Sequence, residues 1–148
     1  MIKKILIVAS LFLMISCDFA PGSYPYASRY EINLPETELA YEIEVFKNNN
    51  PEYITPTALG FEDGRRTDAD HWYHIYFKNP TKDEIIKTWI RKESKTKTIL
   101  AFVAIKDYSS TEKWKFINKD YKGSENKKVI KEFEKIILSK LNINEFIE

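Results

Sequence analysis

His71-Trp72-Tyr73-His74-Ile75-Tyr76-Phe77-Lys78 and Glu84-Ile85-Ile86-Lys87-Thr88-Trp89-Ile90-Arg91-Lys92 are two runs of aromatic and β-branched residues, parted by Asn79-Pro80-Thr81-Lys82-Asp83. Such side chains fit a pleated, half-buried surface, and a proline within a short polar segment is turn chemistry. Two further runs of the same kind, 98–106 and 112–118, follow the short segments 94–97 and 107–111. Connections this short join only antiparallel neighbours, because a parallel return needs a dozen residues or more. The four runs therefore predict a meander.

Side chains along a strand alternate between its two faces. In the first run Tyr73, Ile75 and Phe77 share one face, while Trp72, His74, Tyr76 and Lys78 share the other. In the second, Ile86, Thr88 and Ile90 lie opposite Ile85, Lys87, Trp89 and Arg91. The apolar sets are expected to meet helices. That leaves Trp72, His74, Tyr76, Trp89 and Arg91 on the far face, rings and a guanidinium of the kind enriched at binding hot spots. A rival reading makes these rings a second small core beneath residues 52–70, with Arg91 stacked on Trp89. The two readings differ in whether Trp89 is accessible.

Upstream, Tyr30, Ile32 and Leu34 alternate with polar residues, as a short strand would. Pro35-Glu36-Thr37-Glu38 then places a proline and acids at a first helical turn. Leu39, Ile43 and Phe46 follow at helical spacing, and Asn48-Asn49-Asn50-Pro51 is a stop. Leu39, Tyr41, Ile43 and Val45 also alternate, so a strand competes with the helix here. Downstream, a helix is expected from Ser124-Glu125, capped by Ser124, with Val129, Ile130, Phe133, Ile136, Ile137 and Leu141 on one stripe. The expected fold is α+β: an antiparallel meander sheet of four to five strands with N-terminal and C-terminal helices packed on one face.

The chain has 148 residues, 43% of them hydrophobic, with 23 basic and 22 acidic side chains, which excludes collagen-like, coiled-coil and disordered classes. It opens Met1-Ile2-Lys3-Lys4, and residues 5–15 are apolar apart from Ser10. This run is too short for a membrane span of about 20 residues and fits a secretory signal. Met14-Ile15-Ser16-Cys17 resembles the lipobox of bacterial lipoprotein signal peptides, and Cys17 is the only cysteine. The resemblance implies a diacylglyceryl group on the Cys17 thiol and cleavage before it. Cleavage removes Lys3 and Lys4 from the 23 basic residues, leaving 21 against 22 acidic ones, a balance that by net charge favours neither nucleic acid nor an anionic membrane surface. The expected organisation is a lipoprotein signal peptide at 1–16, a lipidated cysteine and tether at 17–28, and a single α+β domain at 29–148. Tyr24 and Tyr26 are candidates to pack back on the domain.

Ala20-Pro21-Gly22-Ser23-Tyr24-Pro25-Tyr26-Ala27, Asp63-Gly64-Arg65, His71-Trp72-Tyr73-His74, Thr88-Trp89-Ile90-Arg91 and Ser124-Glu125-Asn126-Lys127 together resemble a group of small, uncharacterised bacterial lipoproteins. The resemblance runs over nearly the whole chain and implies no activity and no catalytic residues.

Asp68-Ala69-Asp70-His71-Trp72-Tyr73-His74 is the densest set of metal-ligand types, but His71 and His74 lie three apart on a strand and point to opposite sides. Asp63, Asp68 and Asp70 lack the glycine and closing glutamate of a calcium loop. No Gly-x-Ser-x-Gly elbow occurs, and Glu42 with Glu44 or Glu132 with Glu134 read as solvated helix charges. Neither a metal, another cofactor nor a catalytic set is therefore expected. The expectation is a lipid-anchored protein of the bacterial cell envelope, on a membrane facing the periplasm or the outside. There it would bind a protein or peptide partner as an inhibitor, immunity or assembly accessory protein. The alternative is a glycan or small-molecule binder that stacks its ligand on Trp72, Tyr76 and Trp89.

Overall fold

The computed structural model describes residues 24–141, 143 and 146–147. The signal sequence and Cys17 lie outside them. The strands are β1 (Ser28–Ile32), β2 (Tyr73–Lys78), β3 (Glu84–Lys92), β4 (Thr98–Asp107), β5 (Lys115–Phe116) and β6 (Phe146–Ile147), and the helices are α1 (Glu36–Asn49) and α2 (Gly123–Ile136). All the strand pairs are antiparallel, in the order β2-β3-β4-β1-β6, with β5 also on β4. The α+β meander of the sequence reading is this β2-β3-β4-β5 path, and β1 and β6 extend its sheet.

The expected run 112–118 forms only the two-residue strand β5, and the reason lies on β4. Residues 98–102 of β4 are already paired to β1 (Ser28↔Phe102 through Ile32↔Thr98), so β5 pairs only beyond them, at Ala104 and Ile105. Strand β1 begins at Ser28, inside the expected tether. The β3–β4 register slips beside Lys87, where Lys87 faces Ala104 and Thr88 faces Phe102, leaving Val103 as the extra residue of a bulge. Val103 and Ala104 thereby turn to the same side, and Ile105 returns to the other.

One face of the sheet carries the main core. Tyr30, Ile32, Ile75, Phe77, Ile86, Ile90, Leu100 and Phe102 pack with Leu39, Ile43 and Phe46 of α1 and with Phe133 of α2. Both helices thus cover the same face. Each such Leu, Ile or Phe contributes about 1.5–3 kcal/mol on burial. Phe102 and Phe133 stack with ring centres 4.3 Å apart. In α1 the helical reading prevails over the alternating one, with Leu39 and Ile43 buried and Tyr41 62% exposed. The Asn50 side chain accounts for the stop by donating to the Phe46 carbonyl at 2.8 Å. Helix α2 begins one residue earlier than Ser124, with Lys122 at its N-cap and no side-chain cap, so the expected Ser124 cap is not formed. Gly123, at φ 51°, is the residue that makes this entry.

Candidate binding surface

The opposite face carries the second hydrophobic cluster, and it is covered. Trp89 is 1% exposed, packed with Ala101, Val103 and Ala104 and against Tyr24, Trp72 and Trp114. The Tyr24 ring lies 5.4 Å from Trp72 in an edge-on contact and 5.9 Å from Trp89. Tyr76, 7% exposed, stacks on Phe61 at 5.2 Å and lies 6.3 Å from Trp114. The open aromatic face expected of a binding surface is therefore corrected for Trp89, His74 and Tyr76, which are buried in a second small core. Its cover comes from Tyr24 and Trp114 as well as from Phe61 of the 52–70 loop. Trp72 and Arg91 remain half-buried. The Arg91 guanidinium lies 5.9 Å from the Trp89 ring and 3.5 Å from a Glu93 carboxylate oxygen.

His74 is 3% exposed, with Nε2 3.2 Å from Asp70 Oδ2. Burial and then the Arg66 charge push its pKa below the ordinary histidine value, against the pull of Asp70. The ring is consequently neutral near pH 7, and the Nε2 hydrogen is donated to the carboxylate. Burial opposes ionisation of Asp70, yet hydrogen bonds from the Trp72 and Arg66 N–H groups hold its carboxyl below the usual range. Asp70 is thus the carboxylate that shapes the loop entering β2. His74 Nδ1 and Trp89 Nε1, on residues facing each other across β2 and β3, are buried without a hydrogen-bond partner among the described residues. A histidine held by a carboxylate is half of an acid–base set, but no described hydroxyl or thiol bonds to its other nitrogen. His71, by contrast, is exposed. Among the described residues no group of three or more His, Cys, Asp or Glu could hold a metal.

The loop before β2 is fastened along the edge of the sheet. Gly64 and His74 exchange two backbone hydrogen bonds of 2.9 Å. Beyond them, Asp63 Oδ1 accepts from the Tyr76 N–H at 2.9 Å, and Lys47 Nζ donates to the Tyr76 carbonyl at 2.6 Å. Lys47 and Asp63 are themselves paired at 2.5 Å. Burial pushes the Lys47 pKa down, and the Asp63 carboxylate opposes that shift. These side chains stand in for a neighbouring strand, satisfying edge groups of β2 that would otherwise invite another chain. Glu36, at the start of α1, ties the same loop to β3 by pairing with Arg65 and accepting from the Lys92 N–H at 2.6 Å.

On the far side of this loop lies a cavity of about 480 Å³, lined by residues 60–66 with His74 and Tyr76. Its other margin borders a groove of about 450 Å³ against α1 that includes Ile43, Ile54, Phe61, Tyr73 and Ile75. Arg65 is engaged by Glu36, but Arg66 forms no ion pair with a described carboxylate. A hydrogen bond with Tyr76 holds its guanidinium charged. Lys87 is the second such cation, with Nζ 5.5 Å from the Tyr24 ring and 5.8 Å from that of Trp114. Burial and then Arg66 lower its pKa. The geometry brings two cations that ion-pair with no described carboxylate to a wall of rings, and their chemistry suits a carboxylate or another oxyanion. Of the expected site residues, His74 and Tyr76 share this cavity, while Trp89 and Arg91 stand one strand away. Arg66, Lys87 and Lys47 are not among the candidates of the sequence, and Asp63 enters among them only as a rejected calcium ligand. Asp63-Gly64 carried the signal of a turn but none of a strand-edge clasp.

No helix among the described residues is long and apolar enough to cross a membrane. Compared with family models, with curated proteins and with solved structures, the chain matches none.

Proposed function

We propose that this chain is a lipid-anchored protein of the bacterial cell envelope, attached through Cys17, that binds a protein or peptide partner and performs no catalysis of its own. The anchoring rests on the lysine-led apolar run and on the single cysteine directly after Met14-Ile15-Ser16. The binding role rests on one observation above the rest: the cavity at 60–66, His74 and Tyr76 presents the Arg66 guanidinium, which ion-pairs with no described carboxylate, its neighbour Asp70 being already held by the Trp72 and Arg66 N–H groups and His74. An acidic side chain or terminal carboxylate of a partner would supply the pair. Stacking of a glycan on Tyr76 and Trp89 is the weaker reading, because both are already packed against other rings.

The test is a crosslinking pull-down from the bacterial envelope with the lipidated protein. Arg66→Glu should reduce recovery of the captured partner by about tenfold or more, equivalent to about 1.4 kcal/mol, at an unchanged melting temperature. Equal recovery by wild type and variant would remove the cavity from the binding site.

A further inference from the structure

The region where the chain leaves β1 towards Cys17 has a composition of its own. Tyr26 is 47% exposed, and Lys119 Nζ lies 5.7 Å from its ring and 5.5 Å from that of Phe116. Together with Val103 and residues 24–27 these side chains line a hollow of about 240 Å³. Lys119 forms no ion pair with a described carboxylate. By strand register the same face of the sheet carries Arg29, Lys87, Arg91 and Lys106. Several carboxylates near it are engaged, and one of them takes up Arg91. Glu31 pairs with Lys97, Glu93 pairs with Arg91, Asp70 accepts from two N–H groups, and Asp120 accepts from the Phe116 N–H at 2.7 Å.

We propose that this aromatic and basic face is a membrane-contact surface that rests on the anionic headgroups of the bilayer holding the Cys17 anchor. The inference rests on the anchoring reading above. Tyr24, whose ring packs on this face, is seven residues from Cys17, a length that spans at most about 25 Å when fully extended. A domain of this size is roughly 35 Å across. An acyl group at Cys17 therefore cannot be carried round to the helix side, and the far face is the one held against the lipid. Tyrosine rings sit at the headgroup level of a bilayer, and lysine and arginine are drawn to anionic lipid within a Debye length of it. Net charge does not decide the matter: α2, on the helix side, carries Lys127, Lys128, Lys131 and Lys135 beside Glu125, Glu132 and Glu134, so it is the short reach of the anchor that selects the far face. Glu36, Glu38, Glu44 and Glu52 lie on α1 and the turn after it, and α1 packs on the opposite face.

The experiment is lysine acylation footprinting by mass spectrometry on the full-length lipidated chain, in detergent micelles and in phosphatidylcholine vesicles with and without phosphatidylglycerol. Labelling of Lys119 should fall by about fivefold or more in the vesicles that contain phosphatidylglycerol. Lys127 and Lys131, exposed on α2, should be labelled equally in every sample. Unchanged Lys119 labelling, protection of Lys127 and Lys131 instead, or protection independent of phosphatidylglycerol would each overturn the membrane-contact surface while leaving the anchor standing. The intact mass of the same sample separates the two claims, since a chain without acyl groups would overturn the anchoring and this surface together.

Discussion

Trp89 faces His74 across the β2–β3 register, and both lie in the small cluster roofed by Tyr24 and Trp72. A residue in that position acts through packing. Trp89→Ala should cost about 3–5 kcal/mol and lower the melting temperature by about 10 °C or more, as read by thermal unfolding. A variant that melts with the wild type would contradict the second core. His74 adds a pH dependence whose sign follows from its burial. Its folded pKa lies below the ordinary 6.5, so the unfolded chain takes up the proton first as the solution is acidified. The contribution to stability is complete above pH 6.5 and is lost as pH falls from there through the folded value. Denaturant unfolding between pH 7 and pH 5 should show this decline in the wild type and a flatter curve in His74→Gln. Parallel curves would mean that His74 does not titrate as a buried neutral ring.

Among the elements, the clasp of Lys47 and Asp63 on β2 bears most directly on the candidate site, because it holds the loop that forms one wall of the cavity. Asp63→Ala leaves the Lys47 ammonium without its carboxylate and the Tyr76 N–H without its acceptor. The expected cost is about 3 kcal/mol, together with faster hydrogen exchange at the Tyr76 amide. Slow exchange at that amide in the variant would show that the edge is protected by something else. This clasp was not legible in the sequence, since Lys47 and Asp63 are 16 residues apart and only the fold brings them to the same strand edge. The strand runs and the core face were legible because alternation is local. The placement of β1 beside β4 was not, being a pairing across about seventy residues, and it is this pairing that shortens β5. The far face shows the same division. Alternation grouped Trp72, His74, Tyr76 and Trp89, whereas their burial depends on Tyr24 and Phe61, which arrive from distant parts of the chain.

At the scale of the molecule, the two faces of the sheet carry different duties. Helices α1 and α2 close the large core on one face, while the other ends in a thin aromatic layer with cations around it and the chain towards Cys17 leaving across it. That Arg66, Lys87 and Lys119 form no ion pair with a described carboxylate fits a surface completed by other molecules, a partner at the cavity and lipid headgroups near Tyr26. Both proposals depend on where the protein is held, and so on the thiol of Cys17. Metabolic labelling with an alkyne fatty acid, on wild type and Cys17→Ser expressed in bacteria, reads that directly. The wild type should carry the label and fractionate with membranes, and Cys17→Ser should carry none and either keep its signal sequence or leave the membrane. Equal labelling of the two chains, or none in the wild type, would contradict the lipid anchor.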